Sequence, residues 1–143
     1  MIAVDIHVVT NKKELNEVFS IRRAVFVDEQ HVPEDLEFDG LDDDAVHVIM
    51  YYKKNPVGCA RLRIFDAAAK LERIAVLKDY RGKGFGKHIT AYLIAYCKTK
   101  KIHELTLHSQ TYISGFYEKF GFSPKGDMFL EAGLEHIEMR MTI

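Results

Sequence analysis

The chain begins with an alternating segment and continues with an amphipathic one. Val4–Val9 alternates in part between apolar and polar residues, which predicts a first strand. Thr10 or Asn11 can cap a helix that begins near Lys12 and fades near Gln30. The core face of this helix is predicted from apolar residues at helical spacing, which are Leu15, Val18, Phe19, Val25 and Phe26.

Three apolar segments in the middle of the chain predict strands, and a second helix follows them. Val46–Tyr52 and Val57–Phe65 are separated by a short turn at 53–56, so they are predicted to pair as a hairpin. Leu71–Leu77 is a further predicted strand and runs into a glycine-rich turn at 81–86. The helix after this turn ends in lysines that complement its dipole. Its apolar face consists of Phe85, Ile89, Leu93, Ile94 and Cys97.

The last third of the chain predicts a strand, a short helix and two further strands. Glu104–His108 alternates, and Thr111–Phe120 is a predicted helix that ends at Gly121, a natural left-handed cap. The final strands lie around Asp127–Leu130 and His136–Met141. The order of elements predicts an α/β (α+β) fold, with a mixed, mostly antiparallel sheet of about seven strands flanked by helices.

The composition is that of an ordinary folded protein. The chain is 48% hydrophobic and 29% charged, and residues 1–143 are predicted to form a single domain. No apolar run reaches the roughly 18 residues of a membrane span, and residues 1–5 lack the regions of a signal peptide, which predicts a cytoplasmic protein. Cys59 and Cys97 lie in apolar stretches and are predicted to be buried thiols. Without a Cys/His cluster, no metal site is predicted.

Charge is distributed unevenly along the chain. Residues 1–50 carry four basic and twelve acidic side chains, whereas residues 51–143 carry sixteen basic and nine acidic ones. A basic second half suits a phosphate-bearing ligand, and an acidic first half suits a cationic ligand. The alternative is that these charges simply cover solvated surface. Nine of the acids fall in residues 28–44, which have no Lys or Arg. The net charge near zero argues against nucleic acid as a partner.

The glycine-rich turn Arg81–Gly86 carries the clearest chemical signal. Between a strand and a helix it directs backbone N–H groups and the positive end of the helix dipole at one point, which favours phosphate. Arg81, Lys83 and Lys87 add charge there. The turn lacks the spacing of a P-loop or a dinucleotide fingerprint. A helix start that merely happens to be rich in glycine is the alternative.

With these elements in place, Leu71–Gly86 resembles the acetyl-CoA signature of the GNAT acetyltransferase superfamily. In that signature, Gln or Arg is followed at set spacing by Gly and by Gly or Ala, here Arg81, Gly84 and Gly86. Phe116–Phe122 is similar to a second block of the family. The resemblance implies the GNAT fold, acetyl-CoA as co-substrate without a metal, and direct acetyl transfer to a primary amine of a small molecule or peptide.

The segment Arg22–Gln30 further resembles an ElaA/YjcF-like subgroup of this superfamily. Many members of the superfamily are dimers, so the resemblance also favours a homodimer. A non-catalytic acyl-CoA-binding regulatory module, or a protein that binds ATP at the turn, is the alternative function.

The resemblance also implies which residues hold the coenzyme. The backbone of Ile74 and Val76 would pair with the pantetheine arm, and amides of Arg81–Gly86 would hold the pyrophosphate. The family usually has an Asn ahead of the second block, and Gln110 or Ser114 would replace it here. The implied coenzyme-binding residues are Ile74, Ala75, Val76, Arg81, Gly82, Lys83, Gly84, Phe85, Gly86, Lys87, Gln110, Ser114, Tyr117 and Lys119.

Three residues are candidates for the chemistry. Tyr117 stands where the family commonly has its general acid, or it is an aromatic core residue beside the Phe116 and Phe120 pair. Glu72 is the first candidate for the base, because it would share a strand face with Ile74 and Val76 and because burial could raise its pKa. It is alternatively an ordinary partner of Arg61, Arg63 or Arg73. His108, which points away from Leu105 and Leu107, is the second candidate base or a structural histidine.

The acidic segment 28–44 has a candidate role beside this site. In the family the first helix and the loop after it border the acceptor, so carboxylates there could attract a cationic amine such as a polyamine, an amino sugar or lysine. A solvated loop is the alternative. The candidate carboxylates are Glu29, Glu34, Asp35, Glu37 and Asp39.

Overall fold

Seven strands form one sheet in the computed structural model, which describes residues 3–143. Met1 and Ile2, at the N-terminus that predicts a cytoplasmic protein, lie outside the described residues. The strands are arranged in the order β1-β2-β3-β4-β5-β7-β6 and are antiparallel except for β4 and β5. Their bounds are Val4–Val8 (β1), Val46–Tyr52 (β2), Asn55–Phe65 (β3), Ala68–Val76 (β4), Glu104–Gln110 (β5), Ser123–Glu131 (β6) and Leu134–Thr142 (β7).

Helical segments cover both faces of this sheet. Asn11 caps the first of them, as its Oδ1 accepts a hydrogen bond from the N–H of Glu14 at 2.9 Å. The predicted helix toward Gln30 is confirmed, but its second half is π-helical. The segments are α1 (Lys12–Arg22), a π-helix (Arg23–Glu29), α2 (Glu34–Glu37), α3 (Phe85–Thr99), α4 (Ser114–Glu118) and two 3₁₀ turns (Lys78–Tyr80 and Thr111–Ile113).

Each face of the sheet has its own apolar core. On one face, α3 packs Ile89 and Leu93 against Leu62 and Leu71 of the sheet, all of them buried. On the other face, α1 packs a smaller cluster around Val18 against β2, β3 and β4. Burial of these side chains is the main source of stability for such a layered fold. The mixed, mostly antiparallel sheet flanked by helices is therefore confirmed.

The strands β4 and β5 separate beyond their shared beginning. Their parallel pairing ends where Leu71 lies opposite Leu107. From there to Val76 and Gln110, the two strands make no pair with each other. The backbone of β4 is consequently paired on its β3 side alone over this stretch, and a gap opens in the middle of the sheet.

A bulge in β4 exchanges the two faces of the strand. Arg73 has a φ of +56°, and the register with β3 shifts beside it. Leu71 packs into the core on the α3 side before the bulge, and Ile74 and Val76 pack on that same side after it. Glu72 therefore lies on the opposite face from Ile74 and Val76. The prediction that the three share a face is wrong, because alternation along a strand ends at a bulge.

Several strand ends differ from the predicted ones by one to three residues, and three segments differ more. The predicted helix Thr111–Phe120 is a 3₁₀ turn followed by a single short helix. The acidic segment 28–44 holds α2 and is not a bare connection. Finally, β6 begins at Ser123, before the predicted Asp127. The prediction missed its first residues because they are exposed and carry no apolar pattern.

Candidate functional site

Two cavities of about 350 Å³ each lie at the gap between β4 and β5. The first, the turn cavity, is bounded by the glycine-rich turn and the start of α3. The second, the hairpin cavity, is bounded by the π-helix, α2, the open face of β4 and β5, and the β6–β7 hairpin. Ile74, Ile113 and Tyr117 line both cavities, so the two meet at these three side chains.

The turn cavity has the geometry of an anion site. Gly82 and Gly84 have φ values of +81° and +82°, which residues with a Cβ adopt only at a cost. Gly84 is also the N-terminal cap of α3, whose first N–H groups have no partner inside the helix. Lys87 lies on the cavity wall. The predicted phosphate turn is therefore built as expected in its backbone.

Arg81 has a different set of partners from the predicted one. Its guanidinium donates to both carboxylate oxygens of Glu29, at 2.6 and 2.8 Å, and to the carbonyl oxygen of Val76 at 2.9 Å. The sequence predicted that this side chain would contact a phosphate. In the structure it joins the end of the π-helix to the end of β4.

The other predicted contacts divide between the two cavities. Ala75, Phe85 and Gly86 line the turn cavity together with the residues already named there. Gln110 lines the hairpin cavity instead and donates to Gln30 Oε1 at 3.0 Å. Side chains outside the linings of both cavities are Lys83, Lys119 and Ser114, whose hydroxyl donates to the carbonyl oxygen of Thr111.

Tyr117 is at once a core residue and a cavity residue. It is 8% exposed, packs edge-on against Phe116 and Phe122, and lines both cavities. It is more deeply buried than Phe116, so the alternative of an aromatic core residue also describes this side chain. Burial raises the pKa of its phenol to about 12. The group is therefore a neutral proton donor at physiological pH.

Glu72 is held by cations on the open face of β4. Its carboxylate pairs with Arg61 at 3.1 Å, also accepts a hydrogen bond from Arg63, and lies 3.8 Å from Lys70. Burial alone would raise its pKa, but the hydrogen bond from Arg63 and the neighbouring charges lower it. The prediction of a raised pKa is wrong, and the alternative of an ion-paired glutamate describes this side chain.

The acidic segment is paired with arginines rather than left free. Glu37 is buried, with Arg22 and Arg73 each 2.9 Å away, and Asp39 lies 2.8 Å from Arg61. Together with two more acids and one more arginine they form one connected cluster, here named the arginine network. Its members are Arg22, Arg61, Arg63, Arg73, Glu37, Asp39, Asp42 and Glu72.

The remaining acids of the segment are placed differently. Glu34 pairs with Arg23 at 2.8 Å on the surface, and Glu29 is bound by Arg81. Asp35 is exposed, and no ion pair to it is found within residues 3–143. Arginines therefore already neutralise four of the five carboxylates that were predicted to attract a cation.

His108 lies on the wall of the hairpin cavity, next to two residues that the sequence did not single out. Its Nδ1 is 2.9 Å from Glu131 Oε1, and His136 Nε2 is 3.7 Å from the other oxygen of Glu131. Both partners come from the β6–β7 hairpin, and each is more than twenty residues from His108 in the sequence. Neither has a motif around it, so only the pairing of β5 with β7 could have indicated them.

Comparison with known proteins decides the family. A family model described as an acetyltransferase (GNAT) domain matches residues 9–143. The chain belongs to the GNAT acetyltransferase family. Among its relatives is YyaT of Bacillus subtilis, 41% identical over 138 residues, which cover 94% of this chain and 93% of YyaT. Another is YjcF of the same organism, named as an N-acetyltransferase, 37% identical over 130 residues (90% and 93% of the two chains).

Solved structures agree with this assignment. ElaA of Escherichia coli superposes on this GNAT protein with a TM-score of 0.84 at 26% identity, covering 98% of this chain and 99% of ElaA. A GNAT acetyltransferase of Elizabethkingia anophelis with acetyl-CoA bound has the same fold, with a TM-score of 0.70 at 18% identity over 98% of each chain. The predicted ElaA/YjcF-like subgroup is confirmed, and the protein is an acyltransferase.

No helix among residues 3–143 is both long enough and apolar enough to cross a membrane.

Proposed function

We propose that this GNAT protein transfers an acetyl group from acetyl-CoA directly to a primary amine of a small molecule or peptide. The observation that carries the proposal is the junction of the two cavities at Ile74, Ile113 and Tyr117. A thioester in one cavity and an amine in the other would meet there. Holding two reactants in such a geometry is a large part of the catalysis of a bimolecular reaction.

The turn cavity suits coenzyme A in two ways. The unpartnered N–H groups at the start of α3, with Lys87 beside them, match a pyrophosphate. The β5 side of β4 beyond Leu71 has no strand partner, which leaves backbone groups near Ile74 for the amides of the pantetheine arm, whereas the carbonyl oxygen of Val76 already accepts from Arg81. Acetyl-CoA bound to the neighbour from Elizabethkingia anophelis supports the same ligand here.

Tyr117 is the proposed acid. The amine nitrogen attacks the thioester carbonyl carbon, and the C=O electron pair moves to oxygen. When that pair returns, the C–S bond breaks and the sulfur takes the phenol proton of Tyr117. The phenolate then takes the remaining extra proton from the new amide nitrogen, which restores the phenol. Its pKa of about 12 keeps the phenol protonated before each cycle.

Turnover with a panel of amines tests this function. The protein is incubated with acetyl-CoA and single amines, among them polyamines, amino sugars, amino acids and lysine-containing peptides, and free thiol is measured. We expect at least one amine to release coenzyme A well above the hydrolysis rate. Tight binding of coenzyme A without turnover on any of these amines would contradict the proposal.

The Tyr117→Phe variant tests the role of the phenol. We expect kcat to fall about 100-fold with little change in the KM for acetyl-CoA, because general acid catalysis contributes on that scale. Tyr112→Phe is the matched control, since Tyr112 is 78% exposed and lies outside the linings of both cavities. Equal loss in both variants would show that the Tyr117 phenol has no special role.

A further inference from the structure

The hairpin cavity contains a histidine held by a carboxylate, at the place where an acceptor amine would enter. His108 Nδ1 lies 2.9 Å from Glu131 Oε1. The His108 side chain is 24% exposed, so its ring is held by the protein and still open to the cavity. An ionised carboxylate only accepts hydrogen bonds, and this bond lowers the pKa of Glu131. The proton of the neutral imidazole is therefore on Nδ1, and Nε2 has a free lone pair.

The β6–β7 hairpin fixes the position of Glu131. Glu131 and Leu134 are paired at its end, and the two residues between them, Ala132 and Gly133, have φ values of +51° and +76°. Two left-handed residues in a row make the tight turn whose twist matches a hairpin. Glu131 cannot shift far along its strand without breaking this turn.

Two rings next to Glu131 complete the arrangement. His136 is buried, and its Nδ1 donates to the carbonyl oxygen of Leu134 at 2.8 Å, which orients its Nε2 toward Glu131. The ring of Phe129 packs edge-on against His108 and is stacked on His136, with centroids 4.9 and 6.0 Å apart. The imidazole of His108 is thus fixed by a hydrogen bond at one atom and an aromatic ring against its face.

We propose that His108 is the general base of the acetyl transfer and that Glu131 is the residue that positions it. This inference rests on the proposed function and names its base. The neutral His108 Nε2 takes one proton from the acceptor ammonium, which leaves the nitrogen lone pair free to attack the thioester. The imidazolium that forms is stabilised by Glu131 and later gives its proton to solvent.

The alternative base, Glu72, is poorly suited to this step. Its carboxylate is bound by Arg61 and Arg63, and its lowered pKa makes it a weaker base than an ordinary glutamate. His108 Nδ1 is held by Glu131 at 2.9 Å, whereas Oε1 of Glu138 is 3.9 Å from Nε2, beyond hydrogen-bond distance, so Nε2 stays available for the reaction.

The charges around His108 give the sign of the expected pH effect. The negative charge of Glu131 stabilises the imidazolium relative to the neutral ring, so removal of that charge favours the neutral base. The base must be neutral to act, so the rise of kcat/KM with pH then occurs at lower pH. The groups that face His108 are Glu131 from β6, His136 and Glu138 from β7, and Lys70 and Glu72 from β4.

Four variants test the pair, each assayed with the amine identified by the panel. We expect His108→Gln to lower kcat about 100-fold. Glu131→Gln should lower kcat about 10-fold and move the acidic limb of the kcat/KM profile down by about one pH unit, and Glu131→Asp should recover part of both changes. The matched control is Glu135→Gln, because Glu135 is exposed on the same hairpin and outside the cavity lining, so its profile should equal that of the wild type.

A measurement without turnover separates this inference from the proposed function. The tautomer of His108 is read from its ring nitrogen signals by NMR in the wild type and in Glu131→Gln, and we expect the Nδ1-protonated form to dominate in the wild type and to lose population in the variant. An unchanged tautomer, or an unchanged kcat/KM profile in Glu131→Gln, would overturn the role of Glu131. Full activity in His108→Gln would overturn the base. A wild type that acetylates no amine would instead contradict the proposed function, while the tautomer still decides whether the two residues act as a pair.

Discussion

The phenol of Tyr117 belongs to the core by its ring and to both cavities by its position. Most residues with such burial only pack, whereas this one brings a proton donor to the junction of the cavities. Burial disfavours the phenolate, since a charged oxygen loses more hydration than a neutral one. Core packing and proton donation are thus served by the same low exposure.

This burial predicts the alkaline behaviour of the enzyme. A phenol acid is active when protonated, and the folded pKa of about 12 for Tyr117 means that its ionisation removes activity only near that pH. We expect kcat at saturating substrates to stay level between about pH 8 and 10. The contrary result is a decline of kcat with an apparent pKa near 10 that persists in Tyr112→Phe and disappears in Tyr117→Phe. It would show that Tyr117 ionises like an ordinary exposed tyrosine.

At single positions the sequence predicted the burial of apolar residues better than the surroundings of charged ones. Cys59 and Cys97 were expected to be buried thiols, and they are. Glu72 was misplaced because a bulge at Arg73 has no sequence signal, as arginine is an unusual residue at positive φ. Its pKa was misjudged for a second reason: the number of cations around a carboxylate depends on strand register, which a single strand does not reveal.

Among the elements, α2 depends on charge for its attachment, whereas the π-helix also packs Val25 into the core. Little apolar surface joins α2 to the sheet, and Glu37 with the carboxylates after it is instead bound by the arginine network. Two of the arginines, Arg22 and Arg61, are fully buried. Such buried charges are tolerated when each has partners, and the removal of one partner is costly.

Asp42 is the place to test this attachment. It lies between Arg22 and Arg61, at 2.7 and 3.0 Å, and outside both cavity linings. We expect Asp42→Asn to reduce the free energy of unfolding by about 3 kcal/mol, measured by urea denaturation at pH 7. Asp44→Asn, at an exposed acid of the same segment, is the control and should change it by less than about 0.5 kcal/mol.

The same network sets the sign of the acid response. The pKa values of Asp39, Asp42 and Glu72 are lowered in the fold, so their contribution to stability is present above the unfolded pKa and is lost as the pH falls toward the folded one. The reduction in the free energy of unfolding caused by Asp42→Asn should therefore become smaller below about pH 4. A loss of equal size at pH 3 and pH 7 would contradict an electrostatic role.

Elements with a buried face were predictable, and those held by polar contacts were not. Apolar runs identified β2 and β3, which are buried on both faces, and helical spacing identified α3, which buries one. The short helix α2 has no apolar stripe, and β6 is mostly exposed, so the position of both depends on partners elsewhere in the chain.

For the whole molecule, the order of elements was enough to predict the architecture. Two motif blocks then identified the family, and the glycine turn has the predicted backbone. The chain pairings that build the hairpin cavity could not be predicted, because Glu29 meets Arg81 and Gln30 meets Gln110 across long stretches of sequence. The homodimer, the cytoplasmic location and the cationic acceptor stay predictions.

Binding of the donor should be visible in the stability of the whole fold. A ligand at about 100 times its Kd adds about 2.7 kcal/mol to the free energy of unfolding, which for a chain of this size raises Tm by roughly 8 °C. We expect this shift with acetyl-CoA and a much smaller one with ATP, which lacks the pantetheine arm. An equal shift with ATP would favour a nucleotide site. Gly84→Ala, which places a Cβ at a φ of +82°, should reduce the acetyl-CoA shift.

The shared junction of the two cavities has a consequence for selectivity. If the thioester of the proposed donor lies at Ile74, Ile113 and Tyr117, an acyl group longer than acetyl would extend into the hairpin cavity. It would then take volume that the acceptor would otherwise fill. On the proposed function, a variant selected for a longer acyl donor is therefore expected to prefer smaller amines.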